Sequence, residues 1–182
     1  MQVLMKPIFE EENFLDSFVC KKLIEYQENN SPNDMSRGFW QSRIVTQYDN
    51  DIKKITDVIH ARIVNSITNF YNHNVYLEFT NLVYWGEGME LGLHADNFWI
   101  DNPKEEHYTP HRDYSSVLYL NEDFDGGETY FRNSSYQIKP KTGKLVFFSS
   151  GSEHVHGVKK ITRGKRYTLA TWFTRDKNHA II

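Results

Sequence analysis

The sequence predicts a mainly β fold flanked by α-helices, and three observations predict it. Short apolar segments recur at regular intervals from Val75 onward, with glycine-containing turn signals between them. Before that point apolar residues recur every three or four positions instead. Aromatic residues make up 15% of the chain, a tilt toward the side chains that favour strands. With 182 residues the chain is long enough for one domain with a full core, expected as a helical front half over 1–74 and a strand-rich core over 75–182.

The first helix is expected after Asp16 or Ser17, either of which caps well, with Phe18, Val19, Leu23 and Ile24 on its apolar side. Asn29 to Gly38 reads as a loop, broken by Ser31-Pro32-Asn33-Asp34. The second helix carries Ile52, Ile55, Ile59, Ile63, Ile67 and Phe70 on one face, capped by Asn50 or Asp51.

Strands are expected at Val75 to Phe79, Leu82 to Trp85, Leu91 to Leu93, Ser115 to Leu120, Thr129 to Phe131, Lys144 to Phe148 and Tyr167 to Phe173. Turns fall at Gly86-Glu87-Gly88, Asp125-Gly126-Gly127, Lys141-Thr142-Gly143 and Arg163-Gly164-Lys165. This pattern suits a sandwich or barrel, the jelly roll among them, with the helices covering one outer face.

Charge and cysteine content exclude several function classes. A net charge of -3 gives no footprint for nucleic acid or an anionic membrane surface. One cysteine, Cys20, excludes a disulfide framework and a cysteine zinc site, and reads as a small buried hydrophobe on the first helix. The first residues lack the pattern of a signal peptide, and no stretch reaches the length of a membrane span, so a cytoplasmic, reducing setting is expected.

Of 8 histidines, His60, His73, His107, His111 and His179 read as surface or structural. His94 and Asp96 differ, because two positions apart on an extended segment they face the same way. An imidazole and a carboxylate side by side can occupy adjacent positions on one metal, and a third ligand would come from His154 or His156. Two histidines and a carboxylate on one face of an octahedron suit non-haem ferrous iron, with open positions for co-substrate and O2. Arg166 opens the apolar strand and could grip a dicarboxylate through its planar fork, with the Thr168 hydroxyl on the same strand face.

The runs His94-Ala95-Asp96-Asn97, Arg112 to Asn121, Asp123 to Glu128, Gly143 to Gly151, His156 to Arg166 and Ala170 to Thr174 stand in an order that resembles a known family. They look like the prolyl hydroxylase branch of the Fe(II)/2-oxoglutarate-dependent oxygenases, and most like the catalytic domain of the leprecan-type prolyl 3-hydroxylases. The similarity covers about Tyr84 to His179. It implies a double-stranded β-helix (jelly roll) and Fe(II), 2-oxoglutarate and O2 as cofactor and co-substrates, with ascorbate in a supporting role.

By the same resemblance His94, Asp96 and His156 are the ligands, since the family places its distal histidine ten residues before the basic carboxylate-binding residue. His154 is then left beside the site. Arg166 is expected to bind the distal carboxylate of 2-oxoglutarate, Tyr119 or Thr168 to add a hydroxyl, and Tyr84 to line the co-substrate pocket. Arg112 and Asn97 are expected near the entrance, touching substrate. The polar segment Phe98 to His111 reads as a lid.

The implied activity is hydroxylation of a prolyl residue in a peptide or protein, with release of succinate and CO2. A free amino acid or other small molecule is the alternative substrate. A non-catalytic jelly-roll metal module is the alternative of another class, against which Arg166 argues. Leprecan-type members are larger, with helical repeats and a secretory address that are not found in this sequence, which argues against collagen as the expected substrate.

Overall fold

The computed structural model describes residues 7–33, 36, 41–132 and 134–181. Part of the loop expected over Asn29 to Gly38 therefore lies outside the described residues. Helix α1 runs Ser17–Asn30, so it continues two residues into that expected loop, and Asp16 caps it by accepting from the Phe18 N–H at 2.8 Å. Cys20 and Leu23 are buried beneath it, as expected. Phe18 is 65% exposed and lies off the buried stripe, where Gln27 takes an interior place by donating to the Arg43 carbonyl.

Helix α2 runs Asn50–Tyr71. Its cap is Asp49, one residue before the two candidates, because the Asp49 carboxylate accepts from the N–H groups of Asp51 and Ile52. Ile52, Ile59, Ile63 and Ile67 form the buried face, while Phe70 stands at its rim. Asn72 ends the helix in the left-handed conformation at φ 57°.

The strands are β1 Phe9–Glu11, β2 Ile44–Val45, β3 Tyr76–Trp85, β4 Leu91–His94, β5 Tyr114–Tyr119, β6 Asp125–Gly126, β7 Thr129–Phe131, β8 Gln137–Ile138, β9 Leu145–Ser149, β10 His156–Val158, β11 Ile161–Arg163 and β12 Arg166–Thr174. The two strands expected between Val75 and Trp85 are one, β3, and a bulge opposite Trp172 and Phe173 shifts its register. Asp125-Gly126, expected as a turn, forms a short ladder with β11.

A six-stranded sheet in the order β1-β9-β5-β12-β3-β2 faces a four-stranded sheet in the order β4-β10-β7-β8. All pairings are antiparallel. This is the jelly roll. Both helices pack on the outer face of the larger sheet, where Ile59, Ile63, Ile67 and Leu23 meet Leu82, Leu118, Phe147, Leu169 and Phe173. Burying these apolar side chains supplies about 1.5–3 kcal/mol each.

Alternation then turns the intervening residues inward. On β12, Arg166, Thr168, Ala170 and Trp172 line a cavity of about 890 Å³ between the sheets, and on β3 so do Phe79, Asn81, Val83 and Trp85. Among the described residues no helix is long and apolar enough to cross a membrane.

Candidate active site

His94 ends β4 and His156 begins β10, and the two are opposite each other in the antiparallel register. Asp96 follows β4 after one residue. Its backbone N–H donates to Ser150 at 3.0 Å and its carbonyl accepts from the Thr109 hydroxyl at 2.9 Å. One ligand atom from each of His94, Asp96 and His156 lies within 4.8 Å of the others. His94 Nε2 is 3.6 Å from one carboxylate oxygen of Asp96 and His156 Nε2 is 3.7 Å from the other.

The hydrogen bonds behind these atoms fix their chemistry. His94 Nδ1 faces the Gly92 carbonyl at 3.0 Å and His156 Nδ1 faces the His154 carbonyl at 2.9 Å. A carbonyl only accepts, so each Nδ1 carries a proton, and Nε2 is the ring atom each histidine turns toward Asp96. Burial pushes the His156 pKa down to about 4, which keeps that imidazole neutral. Burial of Asp96 works against its charge, while the Ser115 hydroxyl, donating at 2.6 Å, favours the ionised carboxylate. Two imidazole nitrogens and a carboxylate thus converge on one point, an arrangement that a divalent cation satisfies.

His154, the alternative ligand, is turned away. It sits in a 3₁₀ turn, fully buried, with Nδ1 on the Ser149 hydroxyl at 2.7 Å. Its contribution is the carbonyl that orients His156.

Arg166 lies at the other end of the cavity, on β12, one of the two middle strands of the larger sheet. It is 2% exposed, and its Nε has no hydrogen-bond partner among the described residues. Its guanidinium sits 5.0 Å from the Tyr119 ring centroid and 6.0 Å from that of Trp85. Burial lowers its pKa, with Tyr119 opposing. A buried guanidinium with an unsatisfied donor calls for an anion.

Thr168 lines the cavity two residues on. Tyr119 stands behind Arg166, fully buried, with its hydroxyl 2.8 Å from that of Thr129. Gly127 approaches closely here: it has φ +70°, and an added Cβ would lie 3.1 Å from Arg166 Cδ and 2.5 Å from Ile161 Cδ1.

Two placements differ from expectation. Tyr84 lies on the opposite face of β3, donating to Asn33 at 2.9 Å and packing with the helix-side core, while its neighbour Trp85 lines the cavity. The count of ten back from His94 crosses the turn after Trp85, which does not preserve strand parity. Asn97 points away from the cavity and donates to the Arg112 carbonyl at 2.8 Å. His107, expected in a surface or structural role, is buried within the segment 98–111, its ring 4.3 Å from both Trp99 and Tyr108.

Arg112 does reach the cavity. Its Nε donates to Glu78 at 2.8 Å and its guanidinium lies over the Trp172 ring at 4.4 Å. Sequence reasoning missed Ser115, Trp172 and Trp85. Continuing the alternation that linked Arg166 to Thr168 would have found Trp172.

Residues 79–174 match the model of the 2OG-Fe(II) oxygenase superfamily. Mouse (Mus musculus) prolyl 3-hydroxylase 2 is 47% identical over 94 residues, 46% of this chain and 13% of its own length. Rat (Rattus norvegicus) prolyl 3-hydroxylase 1 is 48% identical over 98 residues, 48% of this chain and 14% of its own. The chain thus matches about an eighth of the length of these curated relatives.

Among solved structures, the viral collagen prolyl hydroxylase of Paramecium Bursaria Chlorella virus-1, in complex with 2OG, has a TM-score of 0.69 at 20% identity over 94% of this chain and 97% of that one. The Trichoplax adhaerens prolyl hydroxylase in complex with a hypoxia-inducible-factor peptide has a TM-score of 0.71 at 18% identity over 94% and 85%. These two share the fold.

Proposed function

Because the chain belongs to the 2OG-Fe(II) oxygenase superfamily, we propose that it hydroxylates a prolyl residue within a peptide or protein, consuming 2-oxoglutarate and O2 and releasing succinate and CO2. The observation that carries this reading is the pairing of a buried Arg166, with its unsatisfied Nε, and the His94-Asp96-His156 cluster in one cavity. A module that only held metal would have no use for a dicarboxylate clamp at the far end.

His94, Asp96 and His156 would hold ferrous iron, and the iron supplies the oxidative decarboxylation of 2-oxoglutarate and the transfer of oxygen. Arg166 binds and orients the distal carboxylate through its fork, and Thr168 adds a hydroxyl beside it. Tyr119 packs against the guanidinium and holds it in place. Trp85, Phe148 and Val83 line the walls and exclude water. Arg112, held by Glu78 against Trp172, forms part of the entrance. Ascorbate would keep the iron ferrous between turnovers.

Charge favours a peptidyl substrate over a free amino acid. Among the described residues the only arginines or lysines lining the cavity are Arg112 and Arg166. With Arg166 serving 2-oxoglutarate and Arg112 serving Glu78, no cation remains for an amino acid's carboxylate. The solved relative with a bound peptide fragment and the prolyl 3-hydroxylase relatives support the same class. Purified protein with Fe(II), ascorbate and 2-oxoglutarate should release succinate when prolyl peptides are added, and mass spectrometry should find one added oxygen on proline. Absence of peptide-dependent succinate, or modification of free proline alone, would overturn the reading.

A further inference from the structure

Strand β3 carries one residue too many for its partner β12. Leu77 pairs with Phe173 and Phe79 with Trp172, so Glu78 is the extra residue of the bulge between them. Bulges gather beside active sites because they re-aim a side chain. Here Glu78 divides its two oxygens between consecutive residues. Oε2 accepts from Arg112 Nε at 2.8 Å, and Oε1 lies 3.1 Å from His111 Nε2. Beside a guanidinium the carboxylate accepts, so the imidazole donates to it.

His111 is held in turn from behind. Its ring stacks on that of His179, with centroids 4.0 Å apart and planes 5° from parallel. His179 ends the 3₁₀ turn Lys177–His179, which Asp176 caps by accepting from the Asn178 N–H at 2.9 Å. Two residues further on, the Ile181 N–H donates at 2.8 Å to the carbonyl of Leu77, which borders the bulge. The segment after β12 thus returns to the same bulge that aims Glu78. What the closed path fixes is Arg112, whose guanidinium lines the cavity and lies over Trp172. Glu78 takes Nε and offsets the charge, which leaves the terminal amino groups to donate to a neutral carbonyl such as a peptide presents.

We propose that His111 and His179 are positioning residues for the substrate peptide, acting through Glu78 on Arg112. The assignment rests on the prolyl-peptide reading given above. It gives a role to two histidines that read from the sequence as surface or structural, and it makes the turn after β12 a determinant of peptide affinity.

The test uses the full chain with His179→Ala, His179→Phe, His111→Phe and Arg112→Ala. His179→Ala should raise the KM for a prolyl peptide about two- to tenfold, the size of one lost ring contact, with the 2-oxoglutarate KM unchanged. His179→Phe keeps a flat ring over His111 and should restore the wild-type value. His111→Phe keeps the stack but removes the donor to Glu78, and should raise the peptide KM by a similar factor. In the Arg112→Ala background, His179→Ala should cost nothing further, because its effect passes through that guanidinium. Titration of the peptide into protein loaded with an inert divalent metal and a non-reacting 2-oxoglutarate analogue gives the same comparison as Kd where turnover is too slow to measure.

Equal rises in both KM values would mark a merely structural role and overturn the assignment. So would a full effect of His179→Ala in the absence of Arg112, or no recovery in His179→Phe. Wild-type protein that turns over no prolyl peptide would overturn the parent reading and this proposal with it. An active wild type whose peptide KM is unaltered by His179→Ala would overturn this proposal alone.

Discussion

The Ser115 hydroxyl donates to Asp96 Oδ2 at 2.6 Å, and Ser115 is the β5 residue directly opposite Trp172 on β12. The carboxylate of the candidate metal cluster is thereby tied to the middle of the larger sheet, although its backbone emerges from the smaller one. The Ser150 hydroxyl, 2.7 Å from that of Ser115, extends the tie to the end of β9.

Ser115→Ala should leave the fold intact and weaken divalent-metal binding about 10–100-fold, the usual cost of losing a group that orients a ligand. Asp96→Ala should abolish binding outright. Metal titration followed by calorimetry or quenching of tryptophan fluorescence checks both, and unchanged affinity in Ser115→Ala would remove its role.

Arg166→Ala should raise the 2-oxoglutarate requirement by about 30-fold or more, the cost of losing one partner of a buried charge pair. Metal binding should persist. Arg166→Lys should recover part of the loss, since a lysine keeps the charge without the fork. Steady-state kinetics at varied 2-oxoglutarate, alongside metal titration, separate the two effects.

Gly127→Ala should be destabilising and should also disturb co-substrate binding. Its φ of +70° disfavours any Cβ, and the added atom would meet Phe124 Cε2 at 2.8 Å as well as Ile161 and Arg166. A loss of about 1–3 kcal/mol is expected in denaturant unfolding, with a higher 2-oxoglutarate KM in the protein that remains folded.

His60 should give the protein a sensitivity to acid. It is buried in α2 against the Thr80 hydroxyl at 3.0 Å, and burial pushes its pKa from 6.5 down to about 4. The unfolded chain binds this proton more readily than the folded one, so stability is full above pH ~6.5 and falls as the pH drops toward about 4. The total is about 3 kcal/mol. Urea unfolding from pH 7.5 to 4.5 should show this slope, and it should flatten in His60→Gln.

Much of this was legible because the chemistry sits on strands. His94, Asp96, His156, Arg166 and Thr168 could be read from parity and from the resemblance, and the structure brings all five to one cavity. Tyr84 was misplaced because the turn after Trp85 breaks the two-residue period, leaving no pattern to say which of the adjacent aromatics faces inward. Ser115 was missed for a different reason. Its tie to Asp96 comes from what lies across the sheet, and register is a property of pairing that no single strand carries. The short strands β2, β6 and β8 have two residues each, too few to show a period. Asp49 lost to Asn50 and Asp51 as the expected cap because three good capping residues stand in a row.

The strand order has a consequence for how the protein comes into being. β12 lies between β5 and β3, yet it is the last of the three to leave the ribosome. Until it arrives, β3 and β5 present open edges to one another across a gap that only Arg166–Thr174 can fill. His156 and Arg166, on β10 and β12, are both made after the rest of the candidate cluster and cavity strands. The His94-Asp96-His156 group and the buried arginine are therefore completed late in synthesis, close to one another in time.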